Sequence, residues 1–371
     1  MRYLIYGYYG YGNFGDDLLL RALVDGIACR EREASFTVLS FDIAPGFEAD
    51  SQVQFARLAP LLENVRAKPW RLLHYLAALT RRIGRSDVLV IGGGALFTDK
   101  GRFSLSLALI CGAAFYARMR RRRVVIVGVA VDRLQHPVNR WLTRRTFASA
   151  DFIAVREKPS LQFVPRRAAA RARLSADLAL GLDWDAAPKA LPRPRRVVGL
   201  CFIDYFRTVE PSIEGHAAYE AAIFGLIERH RRSYSFVAVT LQRGRGQRDD
   251  WLSGTLAARY GIPTVHVQDI RSARDMAAEV DIIVTTRFHL GLLGILWGKS
   301  TIVIDHELKM ACLAEAFALP SISLRAFLSE GGLDLDALLS HCDPARTAAL
   351  IEAERARAPL NFAWLDERGA G

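Results

Sequence analysis

The stretch Asp281-Ile282-Ile283-Val284-Thr285-Thr286-Arg287-Phe288-His289-Leu290 decides how this chain is read. A short apolar run ends in two threonines and an arginine, and a second apolar run continues to Trp297. That reads as strand, turn and helix, with cations at the carboxyl end of the strand, where open α/β sheets bind their ligands. Arginine grips phosphate or carboxylate through a planar fork. Histidine carries protons near neutral pH. Arg287 and His289 therefore suit an anion that must also exchange a proton. The plainer alternative is a helix cap at His289 and a surface ion pair at Arg287.

The same alternation extends in both directions. Strand candidates in the first half are 3–6, 36–41, 88–91, 124–129 and 152–155, with helical stretches such as 17–27 and 70–83 between them. Around 183–196 the sequence turns to DWDAAPKALPRPRR, a linker composition. The pattern then restarts with 197–202, 236–241, 264–267, 282–284 and 301–304. Strands alternating with helices imply parallel sheets. The expected fold is α/β: two Rossmann-like domains with parallel sheets facing across a cleft, a GT-B-like arrangement. The expected divisions are an N-terminal domain 1–182, the linker 183–196, a C-terminal domain 197–343 and a helical tail 344–371.

The chain has 371 residues, is 51% hydrophobic and carries a formal charge of +11, enough length for two cores and enough charge to favour anionic partners. No RNA-binding or zinc-finger signature accompanies the arginine clusters, so nucleic acid is not expected as a partner. Cys29, Cys111, Cys201, Cys312 and Cys342 lack metal or redox spacing and read as buried free thiols of a reducing compartment. No cofactor or metal is expected. The amino terminus has no signal-peptide pattern, and the longest apolar run, 103–117, falls short of the ~20 residues of a bilayer span. The expected location is cytoplasmic, either free or peripheral on the inner face of the cell membrane.

Further constellations follow strands. Gly7-Tyr8-Tyr9-Gly10-Tyr11-Gly12-Asn13-Phe14-Gly15-Asp16-Asp17 lets bare backbone approach a ligand before a helix amino terminus, or it is a structural turn with an aspartate cap. Gly92-Gly93-Gly94-Ala95-Leu96-Phe97-Thr98-Asp99 offers a second bare turn, with Asp99 orienting a sugar hydroxyl or capping a helix. In Val155-Arg156-Glu157-Lys158-Pro159-Ser160, Arg156 faces an anion or pairs with an acid such as Glu157. In Asp305-His306-Glu307-Leu308-Lys309, Lys309 is a further candidate cation.

GYYGYGNFGDD, GGGALFTD, AVREKPS, TTRFH and IDHELK, in that order from about residue 3 to about 320, resemble the polysaccharide pyruvyl transferase family. The resemblance implies a GT-B-like fold, phosphoenolpyruvate as co-substrate and a saccharide acceptor, free or lipid-linked. It implies that Arg287 and His289 are catalytic, binding the donor and moving the proton, and that Arg156 is a further donor ligand; Phe288 and Lys309 complete the expected donor side. Gly12, Asn13, Gly15, Asp16, Gly93, Gly94 and Asp99 are the expected acceptor-side or loop residues. Phe288 stands where a smaller aliphatic residue is usual, Asp17 where glutamate is commoner, and His306 where tyrosine is more familiar. Gly128-Val129-Ala130-Val131-Asp132 lacks the usual glycine-rich form. The rival reading is a GT-B glycosyltransferase using a nucleotide-sugar, supported by the Glu-x₇-Glu spacing of Glu307 and Glu315. A binding module without catalysis ranks third.

Residues 64–85 contain Arg66, Lys68, Arg71, Arg81, Arg82 and Arg85 and no acid, with Trp70, Leu72, Leu73, Leu76, Leu79 and Ile83 at nearly helical spacing. A basic helix of this kind can lie on an anionic membrane; as an ordinary domain helix it would bury its apolar stripe instead.

Overall fold

The computed structural model describes residues 1–65, 67–99, 101–184, 193–242 and 248–366. Arg66 and residues 185–192 of the expected linker lie outside the described residues. The chain divides into two compact units: residues 1–11, 16–182 and 354–371, and residues 12–15 and 183–353.

The first unit holds strands β1 (Arg2–Tyr9), β2 (Ser35–Ser40), β3 (Val53–Arg57), β4 (Val88–Thr98), β5 (Arg123–Asp132), β6 (Phe152–Val155) and β7 (Ala172–Leu174). They form one parallel sheet in the order β3-β2-β1-β4-β5-β6-β7. The second unit holds β8 (Val197–Cys201), β9 (Ser235–Thr240), β10 (Thr264–His266), β11 (Ile282–Thr285), β12 (Ser300–Asp305) and β13 (Ser321–Ser323). Its sheet is also parallel, in the order β10-β9-β8-β11-β12-β13. Both orders reverse direction beside their first strand, the Rossmann arrangement, so the switch points lie between β1 and β4 and between β8 and β11.

The central strands are buried along their length, as in β6, β8 and β11. A parallel sheet covered on both faces demands that continuity of apolar residues. Three of the four edge strands, β3, β7 and β13, carry partly exposed patterns over only a few residues, and they escape a reading based on apolar runs. The expected strands 88–91 and 124–129 run further, to Thr98 and Asp132. Gly93 and Gly94 adopt φ of 74° and 80°, and the pairing of β4 with β5 slips between Gly94 and Phe97. The triple glycine is thus a bulge inside the strand rather than its end.

The helix after β1 starts at Phe14 rather than Asp17, so the glycine-rich turn narrows to residues 10–13. The expected tail also divides. The helix Pro344–Arg355 belongs mostly to the second unit, whereas residues from 354 onward return to the first. There the Trp364 ring meets Tyr3 edge-on, and Asn361 accepts from the Ser175 hydroxyl at 2.9 Å.

Gly10 has φ of 73°, and a Cβ on it would stand 2.2 Å from the Asp42 carbonyl oxygen. Gly10→Ala therefore combines a left-handed conformation, unfavourable by about 1–2 kcal/mol for an L-residue, with a backbone overlap. We expect at least about 2 kcal/mol of destabilisation in urea unfolding, and a neutral effect would show that this turn relaxes freely.

Candidate active site

Arg287 sits immediately beyond β11, at the switch point of the second sheet. It occupies the N-cap position of the helix Phe288–Leu296 in extended conformation. Its side chain is only 11% exposed, and its Nε donates to Asp249 Oδ2 at 2.9 Å while a terminal nitrogen donates to Gln242 Oε1 at 2.9 Å. The Asp249 carboxylate is fully buried and also accepts from the backbone N–H groups of Leu241 (3.2 Å) and Gln242 (2.9 Å). One carboxylate thus locks the segment after β9 to the arginine after β11. Thr286 Oγ1 accepts from Ile203 N–H at 2.9 Å, which joins the ends of β8 and β11. Neither Asp249 nor Gln242 was singled out in the sequence. Asp249 precedes Arg287 by 38 positions, and its only local signal is the Asp249-Asp250 pair following β9.

His289 lies in the first turn of the helix that Arg287 caps, with its ring edge-on to the buried Phe288 ring at 5.3 Å. Gly15 packs against the imidazole, and a Cβ there would stand 2.2 Å from Nδ1. The segment carrying Gly15 is held to the second unit by backbone: Phe14 N–H donates to Leu241 O at 2.9 Å, and Asn13 pairs with Gln242. Asn13 Oδ1 accepts from Gly15 N–H at 3.3 Å. Gly15, Asn13, Arg287 and His289 are therefore one constellation, drawn from the two most informative sequence motifs.

On the neighbouring strand end, Lys309 and His306 both approach Glu307 Oε1, at 2.6 Å and 3.2 Å. Burial opposes ionisation of Glu307, but Lys309 and His306 hold its carboxyl well below the usual range. Glu315 is exposed two helical turns further on, in the helix Leu308–Phe317. Eight residues of helix separate two carboxylates by about 12 Å.

In the first unit, Arg156 is buried between Asp177 (2.7 Å) and Glu157 (3.2 Å), the ion pairing weighed from its sequence context. Ser160 of the same motif is buried and accepts from Val131 N–H at 2.9 Å, tying the turn to β5. Asp99 is neither a helix cap nor an open carboxylate. It accepts from the N–H groups of Gly101 (2.8 Å), Gln135 (3.1 Å) and His136 (3.1 Å) and from Asn139 Nδ2 (2.9 Å). Ser104 caps the following helix instead. Asp16 comes close to the bulge, 3.3 Å from where a Gly94 Cβ would stand. Beside the end of β1, Tyr6, Tyr8, Tyr11, Tyr75 and Ser106 line a cavity of about 50 Å³. The Tyr6 and Tyr75 hydroxyls are 2.8 Å apart.

The family profile for polysaccharide pyruvyl transferases matches residues 13–307, most of the chain. The chain belongs to the polysaccharide pyruvyl transferase family. It is accordingly a transferase. No curated protein matches it. Among solved structures, a putative UDP-N-acetylglucosamine 2-epimerase from Listeria monocytogenes is similar, with 12% identity over 97% of this chain and 93% of that one and a TM-score of 0.61. The UDP-GlcNAc 2-epimerase of Neisseria meningitidis bound to UDP-GlcNAc gives 10% identity, 99% and 100% coverage and a TM-score of 0.57. Anabaena HepE in complex with UDP-glucose gives 15% identity, 100% and 98% coverage and a TM-score of 0.55. At such identities the likeness shows the fold, which is GT-B for this pyruvyl transferase. No described helix is long and apolar enough to cross a membrane.

Two outcomes test this geometry. Asp249→Asn keeps the shape of the carboxylate but loses its charge, so Arg287 should loosen. We expect the donor KM to rise by about tenfold or more, the scale of one charge-assisted hydrogen bond, with a smaller fall in kcat. A merely structural role would instead lower stability and leave the KM alone.

Asp17 is buried and accepts from Gly10 N–H at 2.9 Å. Burial pushes its carboxyl up to about 7, opposed by that hydrogen bond and reinforced by Asp16. A folded value above the unfolded one means that the stability contributed by the bound proton is present below about pH 4 and lost as pH rises through about 7. Asp17→Asn should therefore stabilise the protein at pH 8, by at most about 4 kcal/mol, with the gain fading toward pH 4. Parallel stability profiles for the two proteins across that window would show that Asp17 does not titrate there.

Proposed function

We propose that this enzyme transfers pyruvate from phosphoenolpyruvate to two hydroxyls of a saccharide, free or lipid-linked, giving a pyruvate ketal and inorganic phosphate. The observation that carries the reading is the pairing of Arg287 and His289 at a strand end in a chain of this family. Phosphoenolpyruvate presents a carboxylate and a phosphate, and a rigidly held guanidinium can bind either with charge-assisted bonds worth roughly 1.5–3 kcal/mol. His289 is proposed to handle the proton. Protonation of the methylene carbon makes the neighbouring carbon electrophilic, and one sugar hydroxyl adds there. The carbon–oxygen bond to phosphate then breaks, and the second hydroxyl closes the ketal. The two hydroxyl protons are accounted for by the new methyl group and by the departing phosphate.

Phe288 walls the imidazole and would shape the donor side by contact. Lys309 and Arg156 are proposed as further donor residues. Each now lies in an ion pair, so a donor anion reaching either would replace a carboxylate partner. On the acceptor side, the backbone at Gly12, Gly93 and Gly94 and the side chain of Asp16 are proposed to border the sugar. Asp99 would act there by holding its loop, since its carboxylate already accepts four hydrogen bonds.

The experiment is phosphate release from phosphoenolpyruvate labelled with ¹⁸O in the bridging position, with a panel of saccharide acceptors. We expect the label in phosphate and a ketal methyl signal in the product. His289→Ala should slow turnover by roughly 10²-fold or more, and Arg287→Ala should raise the donor KM by about tenfold or more. Turnover of a UDP-sugar, with no phosphate release across the panel, would favour the glycosyltransferase reading and overturn this one.

A further inference from the structure

Three helices of the first unit cover the same face of its sheet: Trp70–Arg85 before β4, Leu105–Met119 after β4, and Pro137–Ser149 after β5. Their buried sides enter one core, through Tyr75 and Leu79, Ile110 and Ala114, and Leu142 and Phe147. They pack side by side, the second helix in the middle. None of the three contains a single acidic residue.

Their outer faces are apolar where a solvated helix would be polar. On the first helix Trp70 is 53% and Leu73 68% exposed. On the middle helix the outward stripe is Leu105, Gly112, Phe115 and Met119, with Phe115 64% and Met119 66% exposed. On the third, Trp141 is 55% exposed. An apolar face of this extent on a folded unit marks an interaction surface. Positive charge is interspersed with it: Arg81 and Arg85 end the first helix, Arg120 and Arg121 follow the second, and Arg140 and Arg144 flank Trp141, all exposed.

We propose that this three-helix face docks on an anionic lipid bilayer, with the exposed aromatic and aliphatic side chains entering the interface and the arginines meeting the headgroups. Charge selects the occupant. A second copy of the same face would bring arginine against arginine with no acid on any of the three helices to compensate, Asp151 at the border being already paired with Arg118, which disfavours self-association. A nucleic acid would pair with the arginines but leave Leu73, Leu105 and Met119 in water. A bilayer surface satisfies both features at once, since amphipathic helices rich in arginine and bearing Trp, Phe and Leu lie in the interfacial plane. Crossover helices run antiparallel to the strands they connect, so the amino-terminal halves carrying Trp70, Leu73, Leu105 and Trp141 lie toward the carboxyl ends of the strands, where ligands bind. The tyrosine-lined cavity lies between the first two helices, at Tyr75 and Ser106. A lipid-linked saccharide would meet the first unit at that edge. That last point rests on the saccharide acceptor proposed above; the docking surface does not.

The test is flotation of the full chain with phosphatidylcholine vesicles, with and without phosphatidylglycerol, at low and high salt. We expect binding that needs phosphatidylglycerol and weakens with salt. Leu73→Glu/Phe115→Glu and, separately, Arg81→Glu/Arg85→Glu should each reduce the bound fraction about tenfold, with circular dichroism and thermal midpoints close to those of the parent. Failure to bind either vesicle at low salt would overturn the proposal, as would equal binding by parent and variants. Retention on tRNA or a dimer in sedimentation velocity, lost in Leu73→Glu/Phe115→Glu and accompanied by no vesicle binding, would also overturn it. Phosphate release with a soluble acceptor should be unchanged in both variants. Its absence from every protein, parent included, would count against the pyruvyl transfer reading while leaving the vesicle result intact.

Discussion

Every strand pair in both sheets is parallel, and the rest of the molecule follows from that constraint. A parallel pair cannot be closed by a tight turn, so each return carries a crossover, most often a helix. Helices then cover both faces, and the strands between them become continuous apolar runs such as Ile282–Thr285. Because all strands point one way, their carboxyl ends collect along one edge. Gly10, Arg156, Arg287 and Lys309 come from distant parts of the chain, yet each lies beyond such an end in its own unit.

At the second switch point the decisive interaction is a buried carboxylate gripping a nearly buried guanidinium. Breaking a buried pair by removing one partner costs about 3–5 kcal/mol, because the survivor is left uncompensated. Burying the pair also carries a desolvation cost, and Asp249 offsets its share by accepting backbone N–H groups as well as Arg287. The arrangement makes Arg287 a fixed donor fork rather than a flexible surface cation. A fixed fork loses less side-chain entropy when it binds an anion. Gly15 serves the neighbouring histidine by omission, since any side chain there would strike the imidazole.

The three-helix face of the first unit follows a different economy. Its inner residues fill the core as any α/β unit requires. Its outer residues are not needed for folding, and exposed Trp, Leu, Phe and Met gain nothing from water. Arginine near a helix carboxyl terminus is favourable for the helix itself, which accounts for Arg82 and Arg85. It does not account for Arg140 and Arg144 beside Trp141, nor for the absence of acids across all three helices.

The order of strands and helices, the parallel character of both sheets and the two motifs that hold Arg287, His289 and Gly15 were legible in the sequence. Each is written locally, in apolar periodicity, in β-branched runs and in glycines beside cations. The family resemblance drew on the same local stretches. Edge strands such as Val53–Arg57 were missed because a few half-exposed residues carry no such signal. The extension of β4 through Gly93 and Gly94 was missed because a bulge is decided by pairing with β5. Only the tertiary structure decided that Asp249 holds Arg287, that Asp99 clamps a loop instead of capping a helix, and that Asp177 joins Glu157 as a partner of Arg156. It alone showed that three separate basic helices share one apolar face. Those are contacts between residues tens of positions apart, and a one-dimensional pattern records what each residue can do but not what it meets.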